Sequence, residues 1–248
     1  MNAVKLIPKP KEPLLVPKPG SDGCVRCAVV GASGILNGSR MGTEIDSHDY
    51  VFRMNGAVIT GYEEDVGEKT SVYVHTAHSI TASMKFFKIY GYTSVPKDEG
   101  IIHVLIPEGL CDFTWLQALI RGERVTTGRH KNTVFSKMEH WEKFELFLLS
   151  PHLNESHWAL VRPTNGAFTL FLALHTCDTV NAYGFITEDY EKYPNYYVEK
   201  SVKTPVTMYI NHDYILEMKT WQKLHQSKII KLYQRTDSET EAGQPKSP

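Results

Sequence analysis

The sequence predicts an α/β fold built on a mostly parallel sheet with helices on both faces. Three features of its 248 residues support this class. Short apolar runs alternate with longer segments of helical periodicity, a small-residue loop follows the first run, and no linker-like stretch interrupts the middle of the chain. Strands that alternate with crossover helices are typical of parallel sheets, and a chain of this length buries one sizeable core. We therefore expect a single domain.

The apolar runs and the helical periodicity give the predicted elements. The strand-like runs are Cys27–Val30, Tyr50–Arg53, Ser71–Val74, Ile101–Ile106, Phe144–Leu149, Thr179–Tyr183 and Val206–Ile210. The helical candidates are 79–90, 112–121, 166–175 and 213–226. Ligands of such folds bind at the carboxyl ends of the strands, so the loop 31–34, Asn55 and Gly184 are expected at a ligand edge.

The two ends of the chain differ in composition from its middle. Residues 1–23 are rich in Lys and Pro and read as a stem, 24–235 as the folded domain, and 236–248 as a disordered tail. No apolar window is long enough to span a bilayer, and the first residues do not resemble a signal peptide. The sequence as given is therefore expected to be soluble.

Net charge excludes some classes of partner. The 27 Lys and Arg residues nearly balance the 28 Asp and Glu residues. A near-neutral chain does not indicate a nucleic acid or an anionic membrane surface as partner. Two N-glycosylation sequons, Asn37-Gly38-Ser39 and Asn154-Glu155-Ser156, predict a glycoprotein if the chain enters the secretory pathway.

Two short segments suggest where an anion would bind. The turn Gly31-Ala32-Ser33-Gly34 after the first strand is expected to expose bare backbone amides to a ligand. The segment Pro163-Thr164-Asn165-Gly166 places a hydroxyl and free amides at a helix start. Each has a plainer explanation, since glycine loops also serve packing and Thr164 could simply cap its helix.

Two longer blocks resemble a known family. Asp46–Ala57, followed by Asp65–Thr70, is similar to the large sialyl motif of animal sialyltransferases, and Arg162–Phe185 is similar to their small sialyl motif. Both blocks, together with Tyr209–Asp213 and Leu232–Arg235 downstream, are most similar to N-acetylgalactosaminide alpha-2,6-sialyltransferases. The resemblance extends from about Cys24 to Arg235 and implies a Rossmann-like variant of the GT-A fold.

The resemblance also implies an activity and a location. Members of this family transfer sialic acid from CMP-sialic acid, here to the 6-hydroxyl of GalNAc in mucin-type O-glycans of glycoproteins, with inversion. They act in the Golgi lumen and are normally held by an N-terminal membrane anchor that this sequence lacks. The chain has no Asp-x-Asp, and a monophosphate leaving group needs little charge neutralisation. We therefore expect a metal-independent enzyme without a cofactor.

Site residues follow from the positions that match the motifs. The resemblance implies His212 as the catalytic base, with Glu217 matching the family's Glu. Histidine suits the role because its ordinary pKa lies near neutrality. The donor-binding residues implied in the same way are Ser33, Asn55, Thr164, Gly166, Gly184 and Tyr197.

The cysteines allow more than one reading from their spacing alone. Cys24-x-x-Cys27 could indicate redox or zinc chemistry, although no second such pair exists. The resemblance implies instead a disulfide between Cys27 and Cys177. Closing a loop of this length stabilises a fold by roughly 5 kcal/mol in the chain-entropy model and requires an oxidising compartment. Cys24 and Cys111 are then either paired with each other or free.

Three departures from the family pattern support an alternative. Ala32 stands where the family has Asn, Tyr196 stands where it has His, and the connection 150–162 is shorter than in relatives. The alternative is a catalytically weak or inactive sialyltransferase-like protein that retains the fold. An unrelated nucleotide-binding Rossmann domain would fit the loop 31–34 but leaves the second motif and His212 unexplained.

Overall fold

The computed structural model describes residues 13–131, 145–148, 162–200 and 203–235. Within them, seven strands form one sheet in which every pair is parallel. The strands are β1 (Arg26–Val30), β2 (Tyr50–Met54), β3 (Val72–His75), β4 (Ile102–Leu105), β5 (Glu145–Leu148), β6 (Thr179–Tyr183) and β7 (Lys231–Leu232). Their order is β5-β4-β3-β2-β1-β6-β7. The predicted fold class is confirmed.

Six α-helices lie in the described residues and cover both faces of the sheet. They are α1 (Gly42–Asp46), α2 (Glu63–Val66), α3 (Ala77–Phe86), α4 (Leu110–Arg121), α5 (Asn165–Thr176) and α6 (Tyr214–Gln226). Helices α5 and α6 bury Leu170 and Trp221 against one face. Helices α1 to α4 pack on the opposite face, where Trp115 of α4 is fully buried.

The central strand β1 packs alternate side chains against the helical layers on the two faces of the sheet. Cys27 and Val29 pack with α5, whereas Ala28 and Val30 belong to the cluster on the other face. Successive side chains of a strand point to opposite faces, so a strand between two helical layers must be apolar throughout. This explains the continuous run from Cys27 to Val30, which is almost completely buried.

A disulfide joins Cys27 of β1 to Cys177 at the end of α5, which confirms the predicted pairing. The two residues are 150 positions apart in the chain. Cys24 and Cys111 are free thiols, so the pairing between them is excluded. The bond lies at the amino end of β1, the end opposite to the predicted ligand edge.

One predicted strand is wrong. The segment Val206–Ile210 forms no ladder with any described strand, and Ile210 is 98% exposed. Its alternating apolar residues resembled a strand, but a strand needs a neighbour, and β6 is paired instead with the two-residue strand β7. The Phe144–Leu149 run is confirmed for residues 145–148.

Part of the predicted stem packs on the domain. Leu15 is buried against the α5 side of the core, and Tyr50 donates its hydroxyl proton to the carbonyl of Val16 at 2.7 Å. Residues 1–12, the predicted tail 236–248, the shortened connection up to residue 161 and the Asn154 sequon lie outside the described residues. No helix of the described ranges is both long and apolar enough to cross a membrane.

Candidate active site

The carboxyl ends of β1, β2 and β6 meet the start of α5 at one edge of the sheet. The loop after β1, Asn55 after β2 and Gly184 after β6 all lie there. A Cβ built on Gly166 would lie 3.5 Å from Phe185 and 3.7 Å from the sulfur of Met54, so the start of α5 stands over the ends of β6 and β2. This is the crevice in which parallel sheets bind ligands.

The glycines of the two central loops serve close packing. Gly31 donates its N–H to the carbonyl of Tyr183 at 2.7 Å, and a Cβ on Gly31 would lie 2.3 Å from the carbonyl oxygen of Gly184. Gly184 has φ +68°, and its own Cβ would lie 2.7 Å from the oxygen of Gly31. Each position therefore excludes a side chain because of the other.

The expectation of bare amides is wrong for Gly31, Ser33 and Gly34 of the loop 31–34. Ser33 donates its N–H to the carbonyl of Gly184 at 3.0 Å, and Gly34 donates to the carbonyl of Pro194 at 3.2 Å. These N–H groups are satisfied within the protein, as buried backbone donors must be. The hydroxyl of Ser33 accepts from the N–H of Ile35 at 3.5 Å and keeps its own proton for another acceptor. Ser33 can thus reach a ligand through its side chain only.

Asn55 is held in a backbone conformation that few residues adopt. Its φ is +55°, in the left-handed region where Asn is enriched. The hydroxyl of Tyr73 donates to its carbonyl oxygen, and Asn165 Nδ2 donates to its Oδ1 at 2.6 Å. Because the side-chain oxygen is occupied, the amide nitrogen of Asn55 remains as a donor at the edge. This arrangement suits an anionic ligand.

Helix α5 begins with a cap that also ties it to α6. The hydroxyl of Thr164 accepts from the N–H of Ala167 at 3.1 Å and donates to Glu217 Oε2 at 2.7 Å, while its own N–H donates to Glu217 Oε1 at 2.7 Å. Burial raises the pKa of Glu217, although the two hydrogen bonds from Thr164 oppose that shift. The plain capping role of Thr164 is therefore real, and its proton is committed.

The N–H of Gly166 is available to a ligand, whereas the N–H of Thr164 is bonded to Glu217. The carbonyl four residues earlier belongs to Arg162 and accepts from His212 instead, and Gly166 N–H has no hydrogen bond to any residue that the structure describes. It points from the amino end of a helix, where the dipole favours negative charge. Gly166 and Asn55 thus provide two donors on the same side of the crevice.

His212 precedes α6 and is half-buried beside this helix start. Its Nδ1 lies 2.7 Å from the carbonyl oxygen of Arg162. A carbonyl only accepts hydrogen bonds, so Nδ1 carries the proton and Nε2 has the free electron pair. The ring also packs edge-on against Tyr214, with the centroids 5.7 Å apart. In this tautomer the neutral ring is ready to accept a proton at Nε2.

Tyr197 lies beneath the loop and not in the crevice. It is 3% exposed, its hydroxyl donates to the carbonyl of Val58 at 2.6 Å, and its N–H donates to the carbonyl of Ala32 at 3.1 Å. Burial raises the pKa of this phenol. Tyr197 supports Ala32 from below. Its neighbour Tyr196 packs edge-on against Phe87 at 5.0 Å between ring centroids.

Sequence reasoning missed a scaffold of buried charge behind the site. Arg53 is fully buried and donates to the carbonyls of Val66, Gly67 and Lys69, and burial lowers its pKa to about 10. Asp65 accepts from the N–H groups of Gly38 and Arg40 at 2.8 and 3.0 Å. The density of charged residues in Asp46–Thr70 was the available signal. These side chains hold loops and do not line the crevice.

No group of three or more His, Cys, Asp or Glu in the described ranges is arranged to hold a metal ion. The crevice instead collects neutral donors, namely the Ser33 hydroxyl, the Asn55 amide and the Gly166 N–H, with one histidine. Such a set can hold an oxyanion and accept one proton.

Comparison with known proteins places this parallel α/β domain in a family of glycosyl-transferring proteins. Residues 1–229 match the family model described as glycosyltransferase family 29 (sialyltransferase). The chain therefore belongs to glycosyltransferase family 29, the sialyltransferases. This confirms the resemblance of the two sequence blocks.

Curated relatives refine the relationship. The chain is 42% identical to alpha-N-acetylgalactosaminide alpha-2,6-sialyltransferase 1 of Gallus gallus over 94% of this chain and 44% of that protein. It is 43% identical to alpha-N-acetylgalactosaminide alpha-2,6-sialyltransferase 2 of Homo sapiens over 86% of this chain and 61% of that protein. It spans about half the length of the curated relatives it matches. A crystal structure of a mammalian sialyltransferase has the same fold, with a TM-score of 0.67 and 24% identity over 94% of this chain and 77% of that one.

Proposed function

We propose that this chain is a catalytic domain that transfers sialic acid from CMP-sialic acid to the 6-hydroxyl of GalNAc in mucin-type O-glycans. The names of the alpha-2,6-sialyltransferase relatives support the acceptor, and the name of an alpha-2,3-sialyltransferase relative, which contains CMP-N-acetylneuraminate, supports the donor. The observation that carries the chemistry is the fixed tautomer of His212 next to the start of α5. The free Nε2 is a base within the same crevice as the anion donors.

The proposed reaction is a single displacement. Nε2 of His212 takes the proton of the acceptor hydroxyl while that oxygen forms a bond to the anomeric carbon of sialic acid. The bond from this carbon to the phosphate oxygen breaks on the opposite face, its electron pair stays on the phosphate, and CMP leaves. Attack opposite to the leaving group inverts the anomeric centre. The transition state resembles an oxocarbenium ion, so stabilising the departing phosphate contributes most.

Each donor-binding residue has a distinct part in this proposal. The Gly166 N–H, the Asn55 amide and the Ser33 hydroxyl hold the phosphate of CMP. Thr164 and Glu217 fix the start of α5. Gly184 allows the loop after β6 to pack closely on the loop 31–34, and Tyr197 supports Ala32 of that loop from below. The reaction needs no metal and no cofactor, because these donors and the α5 dipole meet a single leaving phosphate.

A secretory location fits the same proposal. A disulfide such as the one between Cys27 and Cys177 persists in an oxidising compartment, which fits the Golgi lumen that the family resemblance implies. Glycoprotein acceptors are therefore the expected partners.

The alternative is a weakly active or inactive domain, and two observations favour it. Ala32 brings no polar side chain to the loop, and Tyr196, which packs against Phe87, stands where the family resemblance implies a histidine. A missing charge-assisted contact to phosphate would weaken donor binding.

Transfer from tagged CMP-sialic acid to a panel of desialylated glycopeptides tests both proposals. We expect product on GalNAc glycopeptides, unchanged by a chelator, and a loss of about a hundredfold or more in His212→Ala. His175→Ala, which changes an exposed histidine at the end of α5, is the matched control and should keep full activity. Normal turnover in His212→Ala would remove His212 as the base, and no transfer by the parent chain would support the alternative.

A further inference from the structure

Two sets of hydrogen bonds join the segment before α5 to the first turn of α6 and to the residues that precede it. Arg162 donates its N–H to the carbonyl of Asn211 at 2.9 Å and accepts from His212 Nδ1 at 2.7 Å. Two residues later, Thr164 makes its two hydrogen bonds to Glu217. The carbonyl that fixes the tautomer of His212 therefore belongs to a short strip of backbone, and the position of that strip determines where Nε2 points.

The side chain of Arg162 anchors this strip to a different part of the sheet. Its guanidinium forms an ion pair with Glu108, which lies between β4 and α4. The Arg162 side chain is 26% exposed and that of Glu108 is 11% exposed. A pair this sheltered is screened less by solvent than the surface pairs of this protein, such as Arg40 with Glu64 at 74% and 76% exposure.

The backbone of Glu108 is fixed by a hydrogen bond to a buried carboxylate. Its N–H donates to Asp112 Oδ2, and the other oxygen of Asp112 lies 3.1 Å from His130 Nε2. Asp112 and His130 are both buried, with 5% of each side chain exposed. The carboxylate of Glu108 thus projects from a rigid corner of the fold, which gives Arg162 a fixed partner.

We propose that Glu108 and Arg162 are positioning residues for the catalytic base. Neither is placed against substrate. Their ion pair holds the Arg162 carbonyl, the carbonyl holds the Nδ1 proton of His212, and Nε2 is thereby kept free and correctly aimed. A misplacement of about 1 Å in such a group costs up to about a hundredfold in rate. The proposal rests on the proposed role of His212 as base.

Substitutions that remove the charge of Glu108 or Arg162 and keep a side chain of similar size test the ion pair. Glu108→Gln is expected to lower kcat about tenfold or more, with the KM for CMP-sialic acid and the Kd for CMP unchanged. Arg162→Lys keeps the charge and should retain most of the activity, whereas Arg162→Gln should match Glu108→Gln. The double variant Glu108→Gln with Arg162→Gln should be no worse than either single one. Glu64→Gln, which breaks an exposed pair, is the matched control.

The pH profile separates positioning from general damage. A carbonyl that accepts from a ring N–H stabilises the protonated form of an imidazole, and weakening such a bond removes that stabilisation. In Glu108→Gln the acidic limb of kcat/KM should therefore move to lower pH. Burial lowers the pKa of His78, whose ring also interacts electrostatically with both members of the ion pair and with Arg129 and His130. His78→Gln is therefore run in parallel and should leave the limb in place.

A spectroscopic readout does not depend on turnover. The nitrogen shifts of the His212 ring, assigned by their loss in His212→Ala, should report the Nδ1–H tautomer in the parent and a mixture of tautomers in Glu108→Gln. Unchanged tautomer, kcat and pH limb in a folded Glu108→Gln would overturn this proposal while leaving His212 as base. Full turnover in His212→Ala would instead overturn the base itself. If Glu108→Gln does not fold, equal activity of Arg162→Gln and the parent would overturn the proposal.

Discussion

Acid is expected to weaken the fold through two buried histidines on neighbouring strands. His75 of β3 and His103 of β4 are each 1% exposed, with ring centroids 5.8 Å apart, and Tyr73 and Trp115 pack against them. Neither ring nitrogen of His75 has a hydrogen-bond partner in the part of the chain that the structure describes. Burial holds the pKa of His75 well below 6.5 and lowers the pKa of His103 to about 4.

The sign follows from which state binds the proton first. Both pKa values are lowered in the folded protein, so the unfolded chain is protonated at higher pH than the folded one. The stability that the two neutral histidines contribute is fully present above the unfolded pKa of 6.5. It is lost as the pH falls from there towards the pKa values of the folded protein. For His103 alone, a pKa of about 4 gives a loss of about 2 kcal/mol between roughly pH 7 and pH 5. His75 adds a loss of the same sign.

Urea unfolding of the disulfide-intact chain at these two pH values measures the effect. His75→Phe keeps an aromatic ring in the cluster and removes two unpaired nitrogens, so it should be at least as stable as the parent near neutrality and lose clearly less in acid. His175→Gln, on an exposed histidine, should behave as the parent. If His75→Phe loses as much free energy of unfolding as the parent on acidification, His75 does not carry the proton and the reasoning fails.

Three further changes test other parts of the structure. Replacing Cys27 and Cys177 together by Ala should lower the free energy of unfolding by about 2–5 kcal/mol, and urea titration of the oxidised and variant proteins would show no difference if the bond were dispensable. Ala32→Asn should tighten CMP binding by supplying a polar group beside the phosphate, and calorimetry with equal affinity for both versions would contradict this. Gly34→Ala places a Cβ 2.1 Å from the carbonyl oxygen of Pro194 and should cost about 1–3 kcal/mol of stability, a prediction that an unchanged melting temperature would refute.

Local pattern was enough to predict most of the sheet and its helices. The run Cys27–Val30 must be apolar on both faces. The sequence alone predicts this strand, because an apolar residue type indicates a buried position without reference to its neighbours in space. The segment Val206–Ile210 failed because pairing depends on a neighbour. It pairs with no strand in the part of the chain that the structure describes, and the two residues of β7 that take the edge position give no periodic pattern.

Sequence placed Asn55 and Gly166 at the carboxyl edge of the sheet, but it could not give the hydrogen bonds of the residues there. Sequence pointed to the loop 31–34 as a cradle of amides, yet the N–H of Gly34 is bonded to Pro194, a residue 160 positions away. The orientation of His212 depends in the same way on the carbonyl of Arg162. Such long-range backbone bonds leave no trace in the identity of the residues, because every residue carries the same N–H and C=O groups.

The location of β1 between β2 and β6 has a consequence for the order of assembly. β2 follows β1 closely in the chain, whereas β6 must arrive from beyond Cys177, 150 residues after Cys27. Contacts this distant form late, because the loop has to close before they contribute. Until β6 docks, one edge of β1 is unpaired and the crevice has a single wall. The ligand site is therefore expected to be completed last, when β6 pairs with β1.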